Sequence, residues 1–419
     1  MKNFLKILLI LFISTIVGFL LLLIAYALPA GRIEKNLEKS LTIFEKEETY
    51  ERDIYNYDNT QLDNFTDAIM LENASYIGDQ SIVDKAINVY KYNNHSDPRE
   101  SLILQLKNKE HKTLSPYSRY WHGYLVLLKP FLLFFSYNDF RYINIIAGSL
   151  LVAFIIYMMQ KKKLDSYILP YLISILLINP STIFRSLQYS TIFYLFNISV
   201  LLLLLFDDKL KKRYIYYFLF VGILTSYFDF LTYPAATLGM PLILCIILNS
   251  DLKWLEKIKM IIKNSFFWGV GYAGMWICKF ILGTCLFGTE ILKSSMNQIK
   301  IRTSFETQYE SITIKEIFKR NILKYNTKIS LIIFALFLAY IIYKIIKYKI
   351  KFNKKMLLDL LPYLLICLIP FAWYVALSNH SYIHNSFTYR TLIITIFAGL
   401  SGIIYILEKN RRSKNERKK

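Results

Sequence analysis

The chain has 419 residues, a mean hydropathy of +0.34, 55% hydrophobic residues and a formal net charge of +21. That hydropathy excludes an ordinary soluble domain, and the lack of short alternating strands excludes a β-barrel. The charge is not that of a nucleic-acid binder: 26 of the 51 Lys+Arg fall at Lys2, Lys6 and in the linkers Lys161–Lys163, Asp207–Arg213, Ser250–Asn264, Lys344–Lys355 and Glu408–Lys419, on alternate connections.

Ten apolar stretches are expected to be transmembrane helices: 7–28, 141–160, 167–184, 190–206, 214–231, 234–249, 265–287, 328–346, 356–377 and 389–407. An apolar helix of about twenty residues crosses the hydrocarbon. The fold class is therefore all-α and polytopic. The organisation predicted is an anchor helix at 1–28, an extracytoplasmic loop at 29–140, a helix bundle at 141–407 and a basic tail at 408–419. Basic linkers mark the inner side, so both termini are expected in the cytoplasm of a bacterial cell, with 29–140 and 288–327 outside.

The first loop is polar and carries 17 Asp+Glu. Its segment 29–57 favours helix, and Asn59 to Ile77 has apolar positions at helical spacing. Asp97-Pro98 marks a break, with Pro98 suited to the first turn of a helix reaching Asn108. Residues 119–135, rimmed by Trp121 and His122, are too short an apolar run to span and read as an interfacial helix.

Three groups of residues have the character of a site. Asp63 and Asp67 are four apart, so within a helix both carboxylates share one face, where one of them can act as a general base. The plain alternative is a solvated acidic face. His380, His384 and Arg390 cluster in Ser378–Arg390 and can donate hydrogen bonds to a phosphate; a snorkelling turn explains them equally well. Lys279 follows Gly269, Gly271, Ala273 and Gly274 in one span, and a cation at that depth needs a partner or a wet cavity. Arg185, Asp229, Trp121 and His122 add charge and aromatic surface suited to a sugar. The four cysteines (Cys245, Cys278, Cys285, Cys367) all lie in apolar stretches without a CxxC spacing, and no metal site is expected. A divalent cation is possible as a cofactor but is not called for by the residues. P-loop and strand-linked GxGxxG motifs are absent, which favours a lipid-linked over a nucleotide-linked donor.

In layout, a single N-terminal span, a long acidic first loop, an interfacial helix and then many spans, the chain resembles the GT-C superfamily of membrane glycosyltransferases. That resemblance implies transfer of a sugar from a polyprenyl-phosphate donor to an extracytoplasmic glycan or lipid-linked acceptor. It also implies a first-loop carboxylate as base or acceptor-positioning group, here Asp63 or Asp67. Members with an Asp-Glu pair differ from this chain, where Asn64 follows Asp63. Within that reading, Lys279, Arg390, His380 and His384 are expected at the donor phosphate. A flippase, exporter or polymerase of lipid-linked polysaccharide is the alternative.

Overall fold

The computed structural model describes residues 2–109, 114–229, 231–350 and 354–416. Phe230 and parts of the basic linker Lys344–Lys355 and the tail 408–419 lie outside them. Most of the described chain is helical. The β-structure named within it is one two-stranded antiparallel ribbon, Tyr90–Tyr92 with Leu114–Pro116, and two isolated bridges.

Among the described residues, seven helical stretches are long and apolar enough to cross a membrane: Phe4–Tyr26, Tyr137–Lys161, Leu187–Phe228, Trp254–Phe287, Lys328–Tyr348, Met356–Ala376 and Asn385–Arg411. Two apolar helices, Asp165–Leu177 and Ala236–Leu248, are shorter. The difference from ten apolar stretches has three causes, one being that the expected span 234–249 is helical only over the 13 residues Ala236–Leu248. Leu187–Phe228 contains two of the expected spans, broken where Phe206 leaves helical geometry (φ −125°, ψ 20°) and by a turn at Lys211–Arg213. The second half folds back on the first, because the Tyr217 hydroxyl donates to the Ser199 carbonyl at 2.7 Å. Eighteen residues of straight helix would hold those residues about 27 Å apart. The expected span 167–184 is also broken, by Asn179 in the left-handed region (φ 57°) and the helix start at Pro180.

Small residues set the closest helix packing. A Cβ on Gly271 would fall 2.1 Å from the Leu219 carbonyl oxygen, and one on Gly222 would fall 2.2 Å from that of Trp268. These glycines let helices Tyr214–Phe228 and Trp254–Phe287 touch backbone to backbone. Gly274 sits against Leu11 of the first helix, whereas Gly269 faces open space. The first helix is tied to the same pair by the Tyr227 hydroxyl, which donates to the Gly18 carbonyl at 2.7 Å.

The first loop is a folded cap with its own core, shared with the first helix and continuous with Met275, Leu219 and Ile223 of the bundle. Its helices run Ala30–Glu38, Leu41–Lys46, Asn64–Ser75, Ile82–Asn88 and Pro98–Asn108. The last begins as the sequence predicts, with Asp97 capping the Arg99 amide at 2.9 Å and Pro98 in the first turn. The interfacial segment is helical only over Leu125–Leu132. Trp121 and His122 are not part of it: they are buried in the joint between cap and bundle. An ionic lattice closes that joint. Glu47 pairs with Arg141 at 2.5 Å and Arg185 at 2.8 Å, and Arg185 also pairs with Asp53. These cations hold the Glu47 carboxyl below its usual range against the opposing effect of burial.

Candidate functional site

Between the cap and the bundle lies a cavity of about 520 Å³, and Asp63 is the carboxylate in its wall. The expected shared face of Asp63 and Asp67 does not form, because Asp63 is the N-cap of helix Asn64–Ser75 and has non-helical geometry (φ −123°, ψ 67°). Its carboxylate bends back to accept the Thr66 amide at 3.0 Å and the Thr66 hydroxyl at 2.9 Å, one bond to each oxygen. A carboxylate has about four acceptor positions, so two remain for a ligand. Burial pushes the Asp63 carboxyl up to about 6; the Thr66 bonds and the Arg390 charge oppose the rise, and Asp67 adds to it.

Asp67 is saturated. One oxygen accepts from the Ser186 hydroxyl (3.0 Å) and the Gln188 amide (3.1 Å), the other from the Tyr137 hydroxyl (2.6 Å) and the Leu187 amide (2.9 Å). Leu187 and Gln188 open helix Leu187–Leu210, where amide donors have no partner within the helix. Asp67 therefore caps that helix from another part of the chain, and its charge complements the positive end of the helix dipole.

Across the cavity stand His380 and His384, on a short helical segment, with their rings 4.7 Å apart. Both contact one cation, Arg302. Its Nη1 lies 3.1 Å from His380 Nδ1 and 2.6 Å from His384 Nε2. His380 Nε2 lies 2.6 Å from the Leu231 carbonyl, which can only accept. His380 thus carries its proton on Nε2 and accepts from Arg302 through Nδ1. Burial first, then neighbouring charge, pushes both imidazoles down, His384 to about 3. They are neutral brackets for the guanidinium and not phosphate-binding cations themselves. Among the described residues Arg302 has no carboxylate partner, and its Nε is buried without a hydrogen bond.

Lys324 is the second cation in the wall, and Tyr50, Phe65, Tyr117 and Tyr120 supply aromatic surface beside Gln61, Gln188 and Asn385. The sequence reading missed Arg302 and Lys324. Its signal was the connection 288–327, expected outside, which holds seven Lys+Arg, more than a linker assigned to the outer side should hold on topological grounds.

The remaining expected site residues lie elsewhere. Arg390 is fully buried; its Nε donates to the Ile178 carbonyl (3.2 Å), and its Nη1 to that of Ser386 (3.1 Å). The guanidinium stacks 4.1 Å from the Tyr189 ring and 4.8 Å from that of Tyr389. It stands behind Ser386, a wall residue, and reaches the site through its field on Asp63. Lys279 does not join Arg390. Its Nζ donates to the Ile87 carbonyl at 2.7 Å and sits 5.4 Å over the Trp121 ring. Ile87 lies in the last turn of helix Ile82–Asn88, where carbonyls lack helical partners, so the lysine acts as a C-terminal cap. Trp121 Nε1 donates to the Met275 carbonyl at 2.7 Å, and His122 Nε2 meets the Tyr117 carbonyl at 2.6 Å. Arg185 is held by Glu47 and Asp53, and Asp229 accepts from the Thr232 amide at 3.0 Å. None of these six lines the cavity.

Lys279→Met is accordingly expected to lower stability, because the Ile87 carbonyl loses its buried donor at a cost of about 1–3 kcal/mol. Ligand affinity at the Asp63 cavity should not change. Thermal unfolding in detergent alongside ligand binding checks both halves; a loss of affinity at unchanged stability would return Lys279 to the site.

Among the described residues no three His, Cys, Asp or Glu side chains converge as a metal-binding group. Comparison of the chain with protein-family models, with curated proteins and with solved structures finds no match.

Proposed function

We propose that the protein is a GT-C-like membrane glycosyltransferase that moves a sugar from a polyprenyl-phosphate donor to an acceptor hydroxyl in the Asp63 cavity. The observation that carries this reading is one half-coordinated, buried carboxylate that shares the wall of an aromatic-lined cavity with two cations, Arg302 and Lys324. The acceptor oxygen bonds to the sugar's anomeric carbon as the bond from that carbon to the phosphate oxygen breaks. Asp63 takes the acceptor's proton, and the electron pair leaves on the phosphate, where the two cations stabilise it. Aromatic faces suit the apolar faces of a sugar ring, and the amides of Gln61, Gln188 and Asn385 suit its hydroxyls.

A lipid carrier is favoured by a second feature. An apolar groove of about 420 Å³ runs beside the cavity, lined by Met70, Phe131, Leu187 and Phe228 among others. Met70 and Leu187 directly follow and precede Ile69 and Gln188 of the cavity wall, so the polyprenyl chain would leave the site along hydrocarbon.

The test is transfer by purified protein in lipid nanodiscs, from a polyprenyl-phosphate sugar to a cell-envelope glycan fraction, followed as release of polyprenyl phosphate. A base must be ionised to work, so kcat/KM should rise tenfold per pH unit below about 6 and level off above it. No release with any polyprenyl-phosphate sugar, or a flat profile through pH 6, would defeat the reading. The reading also places the cap outside the cytoplasmic membrane and both termini in the cytoplasm. An impermeant thiol reagent on intact cells should then label Ser81→Cys and not Ser413→Cys; the reverse pattern would overturn the orientation.

A further inference from the structure

A small side chamber of about 50 Å³ adjoins the Asp63 cavity and shares Arg302 and Tyr120 with it. Its other polar walls are Arg119, Ser295 and Gln298, and Trp276 stacks on Tyr120 at 6.1 Å to form one side. No carboxylate lines it. The Ser295 hydroxyl belongs to a residue 2% exposed and is buried without a hydrogen bond, as are the Nε atoms of Arg119 and Arg302. The Arg119 guanidinium stacks 5.2 Å from the Tyr117 ring, and among the described residues it makes no ion pair. A buried donor left unmatched costs about 1–3 kcal/mol, and three such donors belong to residues of this wall.

From these donors we infer that the chamber is a phosphate subsite, in which Arg119, Arg302, Ser295 and Gln298 bind one tetrahedral phosphoryl group. Every one of these groups can donate, and two carry fixed positive charge. Planar guanidinium groups suit adjacent phosphate oxygens, and the hydroxyl and amide suit those remaining. Arg302 lies in both walls, so a ligand phosphorylated twice would place one phosphoryl group in the cavity and the next in the chamber. The ligand is then a lipid diphosphate or a free phosphate; the first source rests on the proposed glycosyl transfer and makes its carrier a diphosphate in place of a monophosphate, the second does not.

The test uses the full chain in nanodiscs with three probes: farnesyl monophosphate, farnesyl diphosphate and inorganic phosphate, their affinities measured by calorimetry. A lipid diphosphate headgroup predicts at least tenfold tighter binding of farnesyl diphosphate than of the monophosphate, with the two affinities brought together in Arg119→Ala and in Ser295→Ala. A free-phosphate site predicts instead that inorganic phosphate binds, at least tenfold more weakly to each variant, while the two farnesyl compounds bind alike. Ser295→Ala removes one hydroxyl and guards against misfolding of the arginine variant; equal melting temperatures certify both. Binding of all three probes that is absent, or unmoved by either substitution, overturns the subsite. Loss of transfer in Asp63→Asn alongside unmoved binding in the chamber variants would sink the subsite and leave the glycosyltransferase reading intact. The opposite pair of results would do the reverse.

Discussion

Asp63→Asn is expected to reduce sugar transfer about 10²–10⁴-fold in a protein that still folds, the range associated with a positioned general base. The asparagine keeps the shape of the N-cap, and its carbonyl oxygen can still accept the Thr66 amide. Its side chain cannot take a proton from an acceptor hydroxyl. The stability sign is also fixed by the environment. Burial raises the folded-state carboxyl to about 6 from an ordinary value near 3.8. The stability this group contributes is therefore full below about 3.8 and is lost as pH rises through 6. At neutral pH the wild type carries a buried charge that the variant does not. Asp63→Asn should melt at or above the wild-type temperature while losing transfer, and a variant that retains full transfer would remove Asp63 from the chemistry. Such a combination, higher stability with lower activity, is hard to obtain from a residue whose role is structural.

The apolar stretches were legible as helices because span length and hydrocarbon thickness are matched by physics, and among the described residues each of the ten is mostly helical, although seven helical stretches and not ten are long and apolar enough to cross a membrane. Their breaks were not. Asn179 and Phe206 interrupt helices through backbone geometry that tertiary contacts select, and hydropathy does not record it. The cap's helix start at Pro98 was legible because capping chemistry is local. The candidate site was legible only in part. Asp63, His380 and His384 meet at one cavity as a polar cluster would suggest, yet Lys279 was misleading for a definite reason: a lysine deep in an apolar helix needs a partner, and a backbone carbonyl of the cap satisfies that need as fully as a ligand would. Arg302 and Lys324 belong to a connection that looked like a linker, and which of its seven cations turn inward is settled by helix Glu290–Thr303 packing on Trp254–Phe287 and Ser378–Ile383, and by helix Ile314–Leu323 packing on Ser378–Ile383.

Asp67→Asn should have the opposite character to Asp63→Asn: a folding defect, with activity lost only in proportion to the protein that unfolds. Four donors converge on this carboxylate, two on each oxygen, from Tyr137, Ser186, Leu187 and Gln188. An asparagine offers one oxygen and turns an NH₂ group toward donors that need an acceptor. Of two oxygens' worth of bonds, half lose their partner, and at least one is a buried backbone amide or a buried hydroxyl. Each such loss costs about 1–3 kcal/mol, against a total folding stability of only ~5–15 kcal/mol for typical domains. The damage also falls where the cap meets the bundle, since Tyr137 opens helix Tyr137–Lys161 and Ser186 precedes helix Leu187–Leu210. Thermal unfolding should therefore shift down clearly in Asp67→Asn and not in Asp63→Asn, and transfer per folded molecule should remain close to wild type. If Asp67→Asn melts like wild type but transfers no sugar, the assignment of base and cap between the two aspartates is reversed. Asp67→Glu separates geometry from charge: the longer side chain keeps both oxygens but displaces them, so it should be destabilised as well, whereas a purely electrostatic role at the helix start would tolerate it.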